Sequence, residues 1–493
     1  MKSKERILDV LSNLWEKKND MDELRRATLT LLCLRYLSIE YETLARKRIG
    51  PEYDDCARNG ISPLAVWYKR HSEDGLREEF EDWMRKNGNR CVIRPQMSWS
   101  RLADEMSFMS SSDITKFLKT MVGEIGESSQ DHSLGWLSAA VAWDRVKPLS
   151  LKRLAAAIDW ECPNRSSIRF AFERTLQWFS HLFNKHPFHV SAPLADLMAG
   201  LALRLPAKYD DRAPFVVENL LSFNAGDGTP LAGVLKRLDY VKSIYMQEQD
   251  PCEELIARLN LLVHGAGGMG LVTSRTHPLR DDWRVFDPNE TVNKTLCDAI
   301  VAFPAFGESW QGILQDRLDG RFRKYCAEGV PGSAEPELAF LLHGLHFLKP
   351  AGTMVLGGAE TMLNRSHDAE RGIRQKLVEY GNLEAIIALP DAMFERITGM
   401  PTALMVAGTE RGPHGVMFVD ARNVTSEALE RPLFDAVLDA CHSHIETPSF
   451  SRIVSPDELR QNDYDLSPER YIEPFMDCMQ DMERAESCDG PSL

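Results

Sequence analysis

The chain has 493 residues, 43% of them hydrophobic and 27% charged, with a formal net charge of −15. That length suits two or three domains, and the composition is globular, with enough apolar material for real cores. The acidity argues against a protein that coats DNA unaided, so any DNA contact needs a local basic patch or a basic partner.

Met1 to Asp20 is charged and amphipathic, without the apolar core of a signal peptide. No apolar run approaches the roughly 18–20 residues that cross a bilayer, so the cytoplasm is the expected location. Leu8, Leu11, Leu14 and Trp15 recur at helical spacing. Asp20-Met21-Asp22-Glu23 then opens a second helix that is apolar nearly all round from Leu29 onward and is expected to be buried. Residues 49–95 are charged, with an exposed helix expected over Gly75 to Lys86. Helical stripes return from Trp99 to Phe183, among them Leu151, Leu154, Ala155 and Ile158. No strand-rich stretch precedes about residue 210.

The pattern then changes. Strands are predicted at Phe215–Phe223, Val241–Met246, Ala299–Phe303, Thr353–Leu356, Leu383–Ala388, Thr402–Val406 and Val416–Val419. Helices are predicted between them at Leu231–Leu238, Cys252–Val263, Pro336–Phe347 and Glu370–Tyr380. This alternation predicts an α/β domain with a largely parallel sheet. A helical tail follows with Leu429–Cys441, and the last dozen residues are acidic and small. The expected organisation is a helical N-terminal domain over 1–165, an α/β domain over 166–425 and a partner-docking tail over 426–493.

Three segments carry chemistry. Asn224, Gly226, Asp227, Gly228 and Thr229 lie in a glycine turn between a predicted strand and a predicted helix, where bare backbone can approach a cofactor. Alone, such a turn is equally a simple strand–helix connection. Glu248 ends the next strand about twenty residues on, where an acidic side chain holds a ribose hydroxyl pair in nucleotide-type sites. Phe303-Pro304-Ala305-Phe306 closes a third strand in a Pro-aromatic-Gly loop at the carboxyl edge of the sheet.

With these segments on the page, the chain resembles the modification (methylation) subunit of type I restriction–modification enzymes, an adenine-specific DNA methyltransferase family. The likeness runs nearly end to end. It is carried by Leu31-Leu32-Cys33-Leu34-Arg35-Tyr36-Leu37-Ser38, Val92-Ile93-Arg94-Pro95 with Trp99-Ser100, and Phe170-Ala171-Phe172-Glu173. Gln247-Glu248 with Leu259-Asn260-Leu261-Leu262-Val263-His264-Gly265 continues it, as do Phe340-Leu341-Leu342-His343 and Thr398-Gly399-Met400-Pro401-Thr402. Asn462-Asp463-Tyr464-Asp465-Leu466-Ser467-Pro468-Glu469-Arg470-Tyr471 completes it. Ser191-Ala192-Pro193 stands where the family has Tyr-Thr-Pro, which makes Pro193 a candidate cofactor contact. The resemblance implies a Rossmann-like S-adenosylmethionine-dependent methyltransferase domain behind an all-α N-terminal domain. It also implies double-stranded DNA with a flipped adenine as substrate, and two partners: a specificity subunit that reads the sequence and a restriction subunit, or other defence proteins.

The sequence departs from that family in its active centre. The catalytic loop Asn-Pro-Pro-Phe is here Phe303-Pro304-Ala305-Phe306. In the family the Asn oxygen accepts from adenine's exocyclic amino group, and phenylalanine has no acceptor. Phe306 keeps a ring able to stack on an extruded base. The cofactor loop, which the family begins with Asp-Pro, begins here with Ser222-Phe223, and Asp227 replaces a small residue. That carboxylate can contact the cofactor's ammonium, repel its carboxylate, or face solvent. The reading is a DNA-binding pseudo-methyltransferase of a restriction or anti-phage assembly. The alternatives are a working adenine methylase with a rearranged pocket, and a ligand-sensing scaffold without DNA methylation.

Other features carry less. Gly265-Ala266-Gly267-Gly268-Met269-Gly270 fits a dinucleotide pattern but follows a helix rather than a strand, so a helix C-terminal turn is expected. Pro251-Cys252 is read as structural. His343 and His346 share a helix without further ligands, the ten cysteines show no CxxC spacing, and no metal site is expected. Arg317, Arg321, Arg323 and Lys324 form a basic cluster that fits phosphates or a solvated helix face equally.

Overall fold

Asp20 takes an extended backbone, and its carboxylate accepts from the Glu23 amide at 3.2 Å, which starts the long second helix where the sequence predicts it. The computed structural model describes residues 6–15, 20–72, 75–87, 91–106, 108–129, 133–182, 190–204, 217–238, 240–266, 269–279, 296–304, 322–326, 336–390, 401–409, 412, 414–422 and 431–473. In chain order its helices begin with α1 (Ile7–Trp15), α2 (Met21–Ile49), α3 (Pro51–Arg58), α4 (Pro63–Arg70) and α5 (Leu76–Lys86). They continue with α6 (Trp99–Glu105), α7 (Ser111–Ser128), α8 (Pro148–Glu161), α9 (Arg165–Leu182) and α10 (Ala192–Leu203). Alternation follows: β1 (Val217–Phe223), α11 (Thr229–Arg237), β2 (Val241–Gln247), α12 (Pro251–Val263), β3 (Gly270–Ser274), β4 (Cys297–Ala302), α13 (Glu337–Phe347) and β5 (Leu348–Ala359). The chain then forms α14 (Asp368–Glu379), β6 (Leu383–Ala388), β7 (Thr402–Gly408), β8 (Val416–Asp420), α15 (Arg431–Ser443), β9 (Ser451–Val454) and α16 (Pro456–Gln461). No described helix is long and apolar enough to cross a membrane.

Two compact units emerge. The first is Met1–Ala192 with Gly226–Lys236 and Glu248–Arg275; the second is Pro193–Ala225 with Arg237–Gln247 and Thr276–Leu493. In the first unit α2 is buried on all sides over Leu29, Leu31, Leu32, Cys33 and Leu34, as its unbroken apolar run requires. One core joins these residues to Ile168, Phe172 and Phe179 of α9 and to Ile256, Leu259 and Val263 of α12. Arg25 of α2 makes a buried bidentate ion pair with Glu253 in the first turn of α12: Nη1–Oε1 is 2.5 Å and Nη2–Oε2 is 3.1 Å. Asp250 caps the same turn through the Cys252 and Glu253 amides.

In the second unit the strands run in the order β2-β1-β4-β5-β7-β6-β8-β9. β1 lies parallel to β2 and β4, and β4 to β5, so these strands end at one edge. Their apolar runs are buried on both faces, as parallel strands covered by helices require. The sheet is more mixed than the pattern predicts: β7 inserts antiparallel between β5 and β6, and β9 pairs antiparallel with β8. β3 and β9 escape the sequence reading because they are short, at five and four residues, and only part-buried. The tail therefore contributes a strand as well as helices.

The ion pair sets the first prediction. Arg25→Met leaves the Glu253 carboxylate buried alone and should cost about 3–5 kcal/mol of stability, measured by urea denaturation. Arg25→Met combined with Glu253→Leu should recover most of that loss, because no charge is then stranded.

Candidate active site

The turn after β1 is built from backbone that only particular residues tolerate. Asn224, Gly226 and Gly228 take φ of 48°, 55° and 77°. A Cβ on Gly228 would lie 3.0 Å from Ala257, so this glycine lets α12 pack closely. A Cβ on Gly226 would meet nothing within 4 Å, so that backbone faces open space. Glu248 reaches back over the turn: Oε2 accepts from the Gly226 amide at 2.7 Å and Oε1 from the Asp250 amide at 2.9 Å. Burial raises the Glu248 carboxyl above its ordinary range, against the pull of those two amides.

The Asp227 side chain turns inward. Its Oδ1 accepts from the Thr229 amide at 3.1 Å and the Thr229 hydroxyl at 2.7 Å, and so caps α11. Asn260 Nδ2 donates to the Asp227 carbonyl at 3.0 Å. The Asn224 Oδ1 is buried without a hydrogen-bond partner among the described residues.

Two of the residues that depart from the family pattern are held in apolar packing. Phe223 is fully buried, stacked on Phe340 at 5.7 Å and edge-on to His343 at 5.1 Å. The Ser222 hydroxyl, where the family has a carboxylate, is buried without a partner among the described residues. Phe303 follows β4 directly and is 5% exposed. Its ring lies over Gly357 of β5, where an added Cβ would sit 2.0 Å from the Phe303 Cδ2. Pro304 is buried beside it. Phe306 lies outside the described residues, as do Thr398, Gly399, Met400, Arg317 and Arg321. Pro193 stands exposed in the first turn of α10.

Residues 236–477 match the model of the N-6 DNA Methylase family. Over that stretch, just under half of the chain, the sequence is similar to that family. It is 25% identical over 347 residues to the type I restriction enzyme MpnII methylase subunit of Mycoplasma pneumoniae, covering 66% of this chain and 62% of that one. It is 26% identical over 249 residues to the HindI methylase subunit of Haemophilus influenzae, covering 47% of this chain and 52% of that one. The chain thus spans about three-fifths and about half of these two relatives. The methyltransferase subunit of a type I restriction-modification system from Streptococcus thermophilus shares the fold. Its TM-score is 0.74 at 21% identity, over 95% of this chain and 100% of that chain. The shared fold is an α/β domain with a mixed sheet, together with a helical N-terminus.

Some expected features resolve into local structure. Gly265 follows α12 with φ of 102°, a helix C-terminal turn, and Gly267 and Gly268 lie outside the described residues. Pro251 and Cys252 form the first turn of α12. Among the described residues no group of three or more His, Cys, Asp or Glu could hold a metal ion. Lys324 lies 4.4 Å from the Tyr380 ring centre. The sequence reading missed Gly357 and Arg25. Nothing local marks either one, since Gly357 matters only through the ring above it and Arg25 meets Glu253 across 228 positions.

The Phe303–Gly357 fit makes a second prediction. Gly357→Ala should destabilise the chain by about 1–3 kcal/mol through overpacking. Most of that loss should vanish in a Phe303→Ala background, giving a coupling of about 0.5–3 kcal/mol in a double-mutant cycle of unfolding free energies.

Proposed function

We propose that this chain is a methylase-like subunit of a type I restriction–modification or related anti-phage assembly, one that binds duplex DNA with its partners but does not transfer a methyl group. The observation that carries this reading is the buried Phe303 ring, closed over Gly357 at the end of β4.

The residues around the turn fit S-adenosylmethionine: open backbone at Gly226, a carboxylate at Glu248 and an unpartnered amide oxygen on Asn224. When bound, that cofactor supplies an electrophilic methyl group. Glu248 would accept from the ribose hydroxyls, using lone pairs left by its two amide partners. Gly226 would let the backbone approach, and Asn224 Oδ1 would accept from the ammonium. Asp227, committed to capping α11, would put a fixed negative charge at that helix's N-terminus and weaken the hold on the cofactor's own carboxylate. Methyl transfer to adenine also requires an acceptor that draws on the exocyclic amino hydrogens. Phe303 offers none, and a loss of this kind costs about 3 kcal/mol or more in the transition state, on the order of a hundredfold in rate.

The relatives are named as methylase subunits of type I restriction enzymes, which supports DNA, a specificity subunit and a restriction subunit as partners. Sequence reading by a partner also suits a chain of net charge −15.

Calorimetric titration with S-adenosylmethionine tests the cofactor half of this reading. Binding is expected for the native chain and should be lost in a well-folded Glu248→Ala variant. Because burial raises the Glu248 carboxyl, its neutral form appears at higher pH than for an exposed glutamate. Affinity should therefore fall on acidification, at a higher pH than the titration of an exposed glutamate would give. An affinity unaffected by Glu248→Ala would contradict the assignment.

A further inference from the structure

A second site lies wholly within the N-terminal helices. A cavity of about 800 Å³ opens between α4, α5 and the segment leading into α6. Small-ligand sites occupy roughly 300–1,000 Å³. Its lining carries four cations, Lys69, Arg77, Arg94 and Arg101, against two carboxylates, Glu78 and Glu81. Such an excess of positive charge is notable in a chain whose net charge is −15.

Each arginine is held at one side of its fork. Arg77 Nε donates to the Tyr68 carbonyl at 2.7 Å, Nη2 donates to the same oxygen, and the guanidinium lies 5.6 Å from the Tyr68 ring centre. Arg94 Nε donates to Glu81 Oε1 at 3.3 Å. Arg101 is fixed by Nε to Glu105 and by Nη1 to the Gln96 carbonyl, both at 3.0 Å. Arg77 Nη1, both terminal nitrogens of Arg94, Arg101 Nη2 and the Lys69 ammonium have no partner among the described residues.

The floor beneath them is a buried hydrogen-bonded chain. Tyr41 and Tyr68 join through their hydroxyls at 3.1 Å, and the Tyr68 hydroxyl donates to Glu81 Oε1 at 3.1 Å. Tyr68 and Glu81 are 7% and 8% exposed, and Glu81, at the cavity wall, pairs with Arg94 and Arg85. Arginines fixed at one edge with donors left over are suited to phosphate oxygens, because little side-chain entropy remains to be lost on binding.

We propose that this cavity binds a phosphate-bearing ligand, either a free nucleotide polyphosphate or the phosphodiester of a nucleic acid. Its lining has no exposed aromatic platform for a base, so the phosphates provide the contacts. The site is independent of the reading of the methylase domain.

The test is calorimetric titration of the full chain at low salt with tripolyphosphate, with ATP and with a short single-stranded oligonucleotide. Saturable binding is expected for at least one probe, weakening as salt rises. A Lys69→Gln/Arg94→Gln variant should bind at least tenfold more weakly. A charge-matched control, Lys242→Gln/Arg371→Gln, whose positions lie in the other unit, should bind as the native chain does. Variants are compared at matched thermal stability, and Lys69→Gln alone, which removes an exposed and unpartnered ammonium, should still weaken binding severalfold. Variant-sensitive binding of tripolyphosphate and ATP supports a free nucleotide, and variant-sensitive binding of the oligonucleotide alone supports a nucleic-acid backbone. No saturable binding, or equal loss in the control, overturns the proposal.

Discussion

One carboxylate holds the turn after β1 in shape. Glu248 ties down the Gly226 and Asp250 amides, and so fixes both the glycine turn and the start of α12. Gly226 and Gly228 must take positive φ for the chain to make that turn. Asp227 then caps α11, and Asn260 holds the Asp227 carbonyl from α12. Arg25, from the other end of the sequence, neutralises Glu253 one turn beyond Glu248. Glu254 beside it pairs with Arg258 and Arg275, so each buried carboxylate in the first turn of α12 is met by an arginine. The N-terminal helices are thus part of what makes the turn stable, and α2 and α12 share one apolar core.

The ends of β1 and β4 tell a different story. Phe223 and Phe303 are both buried, each received by a surface shaped for it: Phe340 and His343 for one, Gly357 for the other. A residue accommodated this closely is part of the packing, and a polar replacement would have to rebuild its surroundings. The buried Ser222 hydroxyl marks a position where apolar filling is incomplete, and an orphaned group of this kind costs about 1–3 kcal/mol. The account therefore separates two capacities that a working adenine methylase combines. On the proposed reading, the turn after β1 keeps a bare glycine and an acid suited to a cofactor, while β4 ends in a packed ring.

Much of this was legible in the sequence. The alternation of apolar runs with helical stripes located β1, β2, β4, β5, β6, β7 and β8, because buried strands leave short, dense apolar signatures. Glu248 and the glycine turn could be read from their order and spacing. The antiparallel insertion of β7 could not, since strand direction in a sheet depends on the path of the connections. The orientation of Asp227 could not either: its carboxylate accepts from the neighbouring Thr229 amide and hydroxyl, a use apart from the three the sequence offered. Gly357 was invisible because a glycine within an apolar strand gives no hint of what lies above it. Arg25 was invisible for the opposite reason, as one charge among many on a long helix. Phe306 and the segment around Thr398 lie outside the described residues, so their expected parts in the site stand as the sequence left them.

The most direct test of the central claim is transfer of labelled methyl groups from S-adenosylmethionine to adenine in duplex DNA, using the chain purified together with its specificity subunit. The account predicts no N6-methyladenine above background while the assembly still retains DNA. Methylation that proceeds at a rate typical of working methylases with Phe303 in place would contradict it, and would mean that the loop after β4 finds its acceptor elsewhere.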